Sequence, residues 1–188
     1  MAKIIDFVEA AARLRGIAAM PDPVPGPHTS DRRGVAYDSS RDLSLAELAA
    51  RMREDIRTAI AAGLLPAGIG ISVRMRQGKA IDFIVRALPV GFKIYDPDYL
   101  RWESTHQCED WVPYLGDRFS AEWLEVKEVL EAVRAAYNRC FTDSSLNFFA
   151  MRFFGEITLE RALQRYVREE ELTAVRTTFA RSPDIVVH

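Results

Sequence analysis

Cysteine is scarce in this chain, long apolar runs are missing, and neither sign of charge dominates. The two cysteines, Cys108 and Cys140, are too few and too far apart for a disulfide framework, and their scarcity fits a reduced, cytoplasmic setting. No apolar run approaches the ~18 residues of a membrane span, which argues against a membrane protein. Lys and Arg number 25 against 27 for Asp and Glu, a formal net charge of -2. That balance excludes a generally basic nucleic-acid binder but not a local basic face. What the chain does have is the material of a packed domain, with 48% hydrophobic, 10% aromatic and 28% charged residues. Its 188 residues allow one core, at roughly 100–200 residues per domain.

The elements follow from period and punctuation. Ile4, Phe7, Val8, Ala11 and Leu14 recur at helical spacing before Gly16, which predicts a short amphipathic helix. Its charges Asp6, Glu9, Arg13 and Arg15 break any signal-peptide core, so it is expected to pack on the body or on a partner. Pro21, Pro23, Pro25 and Pro27 fix φ at alternate positions and remove donors, so residues 20–33 read as an extended arm and 1–43 as a region outside the domain. Ser44 and Glu47 form a capping box for a helix over 45–62, with Leu45, Leu48, Ala49, Met52, Ile56, Ala59 and Ile60 on one face and Gly63 at its end. The period then changes to two. Ile69, Ile71, Val73 and Met75 alternate with Gly70, Ser72, Arg74 and Arg76, and a second strand over 79–88 shares Ile81, Phe83, Val85 and Ala87 on one face. With Gln77-Gly78 as the turn, the two read as an antiparallel hairpin.

Between Pro89 and Phe119 the periodicity dissolves into a stretch carrying Tyr95, Tyr99, Trp102, Trp111 and Tyr114. A segment of that length without regular structure is either functional or partly helical. Ser120 caps a helix through Tyr137, with Val126, Val129, Leu130 and Val133 as its stripe. Residues 146–154 read as a third strand, with Phe148, Arg152 and Phe154 on one face and Phe149 and Phe153 on the other. Thr158 is placed as the cap of a last helix reaching Phe179, and 182–188 as a tail. The expected architecture is a single α+β domain over 44–181, a small antiparallel sheet of about three strands packed by helices.

The run Tyr137-Asn138-Arg139-Cys140-Phe141-Thr142-Asp143, followed by Asn147-Phe148-Phe149 and then Met151, Phe153 and Phe154, resembles a family of small domains that accompany the large polyvalent proteins of phages and conjugative elements. The family's run reads roughly Tyr-Asn, one residue, Asp, one residue, Ser-Asp, three residues, Asp-Tyr-Phe and an alternating strand. Tyr137, Asn138, Asp143, Phe149 and Phe153 match it, whereas Cys140, Thr142, Asn147 and Phe148 stand where the family has Asp, Ser, Asp and Tyr. The hairpin around Gly70–Arg74 and Ala80–Phe83, preceded by a helix with outward arginines, is similar as well. The resemblance covers residues 44–154 and is specific over 137–154. It implies an α+β fold, no enzymatic activity, and a mobile-element context in which small proteins often blunt host defences.

Each candidate for chemistry has a plainer reading beside it. His106 and Cys108, with Cys140 and Asp96 or Asp98, are zinc-type ligands, but a structural zinc site draws two short-spaced pairs and here there is one, so no metal is expected. Cys140 follows a helix C-terminus, whose negative end disfavours a thiolate, and His28, His106 and His188 lie in an arm, a loop and a tail. Ser144 and Ser145 lack the context of a nucleophile elbow. Asn138, Thr142 and Asp143 suit Asx-type turns between a helix and a strand, which makes the matched motif structural. Arg74, Arg76 and Arg86, joined by Arg152, would bind anions if the sheet's second face is open, or act as solvated edge charges. The aromatics Tyr95, Tyr99, Trp102, Trp111 and Tyr114 either grip a partner or cover the sheet.

The resulting expectation is a cofactor-free, non-enzymatic binding protein of a phage or mobile element, an inhibitor of a host defence system of the anti-CRISPR or anti-restriction kind. Its partner would be a host defence protein or nucleoprotein. Two alternatives stand beside it: a nucleic-acid-binding accessory module that uses the arginine face, and a cryptic hydrolase around Asp143. Salt separates the first two, since phosphate binding weakens steeply with ionic strength and aromatic-anchored protein binding does not.

Overall fold

The computed structural model describes residues 28–76, 79–105 and 118–181. Six strands run β1 Thr29–Arg33, β2 Gly70–Arg76, β3 Ala80–Ala87, β4 Arg139–Asp143, β5 Phe148–Met151 and β6 Ile157–Leu159. Four helices run α1 Leu45–Ala61, α2 Pro97–Thr105, α3 Ala121–Ala136 and α4 Arg161–Arg181. The fold is therefore α+β, as the sequence implies. The N-terminal helix expected over residues 4–14, the proline arm up to Pro27 and the tail from Ser182 lie outside the described residues.

Local chemistry sets the helix ends. The capping box of α1 is complete: the Glu47 amide donates to Ser44 Oγ at 3.3 Å, and the Ser44 amide donates to Glu47 Oε2 at 2.8 Å. Ser120 caps α3 by accepting from the Trp123 amide at 3.1 Å. Helix α2 lies inside the stretch whose periodicity dissolves, and Asp96-Pro97 explains its start. Asp96 Oδ1 accepts from the amides of Asp98 at 2.8 Å and Tyr99 at 3.1 Å, while proline, lacking a donor, suits the first helical position.

The strands form two three-stranded sheets, ordered β2-β3-β6 and β1-β4-β5, where the sequence led us to expect one. The hairpin β2–β3 is antiparallel, with Val73 opposite Phe83 and Arg74 opposite Asp82. β6 joins β3 in parallel, so Thr158, expected as a helix cap, is a strand residue opposite Ile84. Helix α1 packs on β2 and on α3, and α2 packs on α4. Leu48, Met52, Ile81, Phe83, Val85, Leu130, Tyr137 and Phe153 fill the core between them. Burial of this apolar area, at about 25 cal/mol per Å², supplies most of the driving force for folding.

Two expectations are corrected by this topology, and one buried contact was not anticipated. Residues 28–43 belong to the body, because β1 pairs antiparallel with β4 and Ala36 and Ser40 are buried. The aromatic run 146–154 is not one strand. Phe148–Met151 pairs with β4 in one sheet, then the chain crosses so that the Ile81 amide donates to the Phe154 carbonyl at 2.8 Å in the other. Gly155 permits that crossing: a Cβ there would stand 1.8 Å from the Ile81 carbonyl oxygen. Gly34 plays the same part at the end of β1, where a Cβ would lie 1.9 Å from the Ala135 oxygen. Finally, Glu171, one of an acidic run on α4, is buried and accepts the amides of Ile94 at 2.9 Å and Tyr95 at 3.2 Å, fastening α4 to the segment before α2.

Candidate functional site

The aromatic residues nominated as partner anchors separate into two groups. Tyr95 and Tyr99 are 4% and 7% exposed and belong to the core, on a helix and the segment before it that pack against α4, so their rings are not available at the surface. Tyr95 stacks on Tyr99 and on Phe119, with ring centres 6.3 and 6.0 Å apart, and burial pushes its phenol upward from the usual range. Trp102 is half-buried against the same core. Trp111, Tyr114, His106 and Cys108 lie outside the described residues. Among the described residues, no three His, Cys, Asp or Glu side chains come together as a metal site.

The four arginines nominated for anions do not share a face. Arg74, Arg76 and Arg86 project from the exposed side of β2-β3-β6, where Arg76 pairs with Asp82 at 3.2 Å. Arg152 belongs to the other sheet's surroundings. Its Nη1 donates to Ser40 Oγ and to the Tyr137 carbonyl, both at 3.0 Å, and its Nη2 to the Ser40 carbonyl. The sequence alternation could not reveal this, because the chain leaves one sheet at Arg152 and enters the other at Phe154.

The matched motif is largely structural. Tyr137 is fully buried and donates to Asp55 Oδ2 at 2.5 Å. Asn138 donates to the Phe153 carbonyl at 3.1 Å and accepts the Arg139 amide at 2.9 Å, joining the end of α3 to the crossing strand. Asp143 forms the expected Asx turn: its Oδ1 accepts the Ser145 hydroxyl at 2.6 Å and the amides of Ser145 at 3.0 Å and Leu146 at 3.3 Å. These bonds, the Ser145 hydroxyl first, hold its carboxyl below the usual range. Phe153 is buried, but Phe149 is 54% exposed and lies outside the hydrophobic core. Cys140 is a half-buried free thiol on β4.

What stands out instead is β1-β4-β5. Every residue of β4 is partly exposed, and the turn after it presents Leu146, Phe148 and Phe149 at 75%, 51% and 54% exposure. Phe148 lies opposite Asp143 and Phe149 opposite Thr142, so consecutive rings point to opposite faces. Three apolar side chains at one hairpin tip, clear of the core, is a pattern of recognition surfaces rather than of packing.

On the Phe148 face the sheet meets Tyr37 across a cleft of about 360 Å³, lined by Tyr37, Arg139, Phe141, Phe148, Ala150, Met151 and Arg152. Three guanidiniums surround the tyrosine ring, Arg152 at 5.2 Å and Arg33 and Arg139 each at 5.9 Å from its centre. Asp31 binds two of them. Arg139 donates Nε to Asp31 Oδ1 at 2.7 Å and Nη2 to Oδ2 at 3.0 Å, and Arg33 donates Nη2 to Oδ2 at 2.8 Å. The Arg139 bond lowers the Asp31 carboxyl and raises the Arg139 guanidinium. Among the described residues Arg152 has no carboxylate partner, and burial pulls its guanidinium downward.

Sequence reasoning missed Tyr37, Arg33, Arg139 and Phe141. No local signal marks them: the strand that carries Arg33 reads Thr-Ser-Asp-Arg-Arg, with no apolar alternation, just after the prolines. No family model, curated protein or solved structure matches the chain. No helix among the described residues is long and apolar enough to cross a membrane.

Proposed function

We propose that this chain is a non-enzymatic binding protein that meets a protein partner through the β4–β5 hairpin tip. The observation that carries the reading is the exposure of Leu146, Phe148 and Phe149 together on a sheet that packs mainly against itself. Interface energy concentrates in a few apolar and aromatic anchors that lose their water on docking, and this tip offers such anchors. The near-neutral charge of the chain fits association by burial better than by general attraction to phosphates. The finer form of the proposal, an inhibitor of a host defence system carried by a phage or mobile element, rests on the resemblance of the Tyr137 to Phe154 run.

The test is expression in a bacterial host with an active restriction or CRISPR system, scored by plasmid or phage entry. Wild type should raise entry, whereas Leu146→Asp with Phe149→Ser should not, with both proteins showing the same melting curve. Equal protection by the folded double variant would remove the tip from the function. Absence of protection against a panel of defences would remove the inhibitor reading.

A further inference from the structure

The cleft beside Tyr37 shares Phe148 with the hairpin tip and adds arginines that the tip does not use. Its volume of about 360 Å³ falls in the lower part of the ~300–1,000 Å³ range of small-molecule sites. That is far more room than a bare phosphate fills. Its lining combines two cations, Arg139 and Arg152, with the rings of Phe141 and Phe148, whose centres are 6.1 Å apart. We propose that this cleft binds a nucleotide unit, its phosphate on Arg152 and Arg139 and its base against Phe148.

Charge and donors support the phosphate. Arg33 and Arg139 both bond Asp31, and Asp38 stands 3.4 Å from Arg33, so these two guanidiniums have carboxylate partners within the protein. Arg152 has no bonded carboxylate: its hydrogen bonds go to the Ser40 hydroxyl and to the carbonyls of Ser40 and Tyr137, using three of its five donors, and Asp42, itself paired with Arg41, acts on its charge from beyond bonding distance. A partly buried guanidinium with no carboxylate bonded to it gains from a phosphate that supplies charge-assisted bonds. The base is supported by Phe148, which lines the cleft yet leaves half its surface to solvent. Every base has a π-face, so such a ring can stack a base whatever its identity. An acidic side chain of a protein would satisfy the arginines but leave the rings uncovered, which is why a nucleotide is favoured.

Two sources share this chemistry, a free nucleotide and a residue within a single strand. Titration calorimetry with a nucleoside monophosphate, a short single-stranded oligonucleotide, the bare nucleoside and inorganic phosphate separates them. The nucleotide or the oligonucleotide should bind about tenfold or more tightly than nucleoside or phosphate alone. Tighter binding of the oligonucleotide assigns the site to a strand, and equal binding to a free nucleotide. Arg152→Gln should abolish binding. Because Arg152 also ties Ser40 to Tyr137, Phe148→Ala provides the second arm, expected to weaken binding about fivefold while the fold stays intact. Leu146→Asp with Phe149→Ser should leave nucleotide affinity unchanged, so failure here and failure of the protein-partner reading are told apart. The proposal is overturned if neither phosphorylated ligand binds, if phosphate alone binds as well, or if folded Phe148→Ala binds normally.

Discussion

In β2-β3-β6, Val73, Phe83 and Val85 are buried among the helices while Arg74, Arg76 and Arg86 face out; in β1-β4-β5, no residue of β4 is fully buried, and Phe148 and Phe149 are both more than half exposed. The first sheet obeys the rule of one apolar and one polar face. The second breaks it, with large apolar side chains on both faces near its tip. Hydrophobic area left in water contributes nothing to folding, so the residues of the second tip are free to serve recognition. The two sheets therefore divide the work, one holding the helices and the other offering surface.

Two phenylalanines four residues apart test that division most strongly. Phe153→Ala should cost about 3–5 kcal/mol, the usual range for emptying a buried aromatic site. Phe149→Ala should cost less than ~0.5 kcal/mol. Urea unfolding of both variants measures the contrast, and equal destabilisation would mean that the second sheet is packed after all. Next in size is Gly155→Ala. The added methyl would meet the Ile81 carbonyl at 1.8 Å, and forcing the strands apart should cost about 1–3 kcal/mol. Retained stability in that variant would show that the crossing between the sheets is loose.

Much of the first sheet was legible because local signals agree there. Ser44 and Glu47, the apolar stripe of α1 and the alternation from Ile69 to Val85 each report short-range geometry, and the structure follows them. The second sheet depends on contacts distant in sequence. β1 pairs with β4 across more than a hundred residues, from Thr29 to Asp143, and nothing in five residues reading Thr-Ser-Asp-Arg-Arg signals a strand. Phe148 to Phe154 alternates like one strand although the chain changes partners midway. Of the site residues, the turn role of Asp143 was readable from its neighbours. The cleft was not, since Tyr37, Arg139 and Arg152 meet only after folding.

An effect of the same size is expected at the link between α4 and the segment before α2. Glu171→Ala leaves the amides of Ile94 and Tyr95 without their acceptor in a buried place, which should cost about 1–3 kcal/mol. Glu171→Gln keeps one carbonyl oxygen and should recover part of the loss. Hydrogen exchange at Ile94 and Tyr95 reads the effect directly, and unchanged protection in the alanine variant would show that these amides are held by something else.

The smallest expected effect concerns acid and falls on the second sheet alone. Asp31 on β1 is bound by Arg139 on β4, and that bond, before any other cause, holds its carboxyl below the usual range. A carboxyl whose folded value lies below its unfolded one stabilises the fold above the unfolded value, ~3.9 for aspartate. The contribution fades as pH falls from there and is gone below the folded value. The pair is partly open to solvent, so its worth at neutral pH should stay below ~1 kcal/mol. Wild type and Asp31→Asn should thus differ at pH 7, differ less near pH 4, and converge at still lower pH. Amide exchange along β4 at each pH locates the loss. A difference that widened on acidification would mean that the carboxylate is tolerated in the fold rather than favoured by it. The two strands of the exposed sheet would then be held by backbone pairing alone.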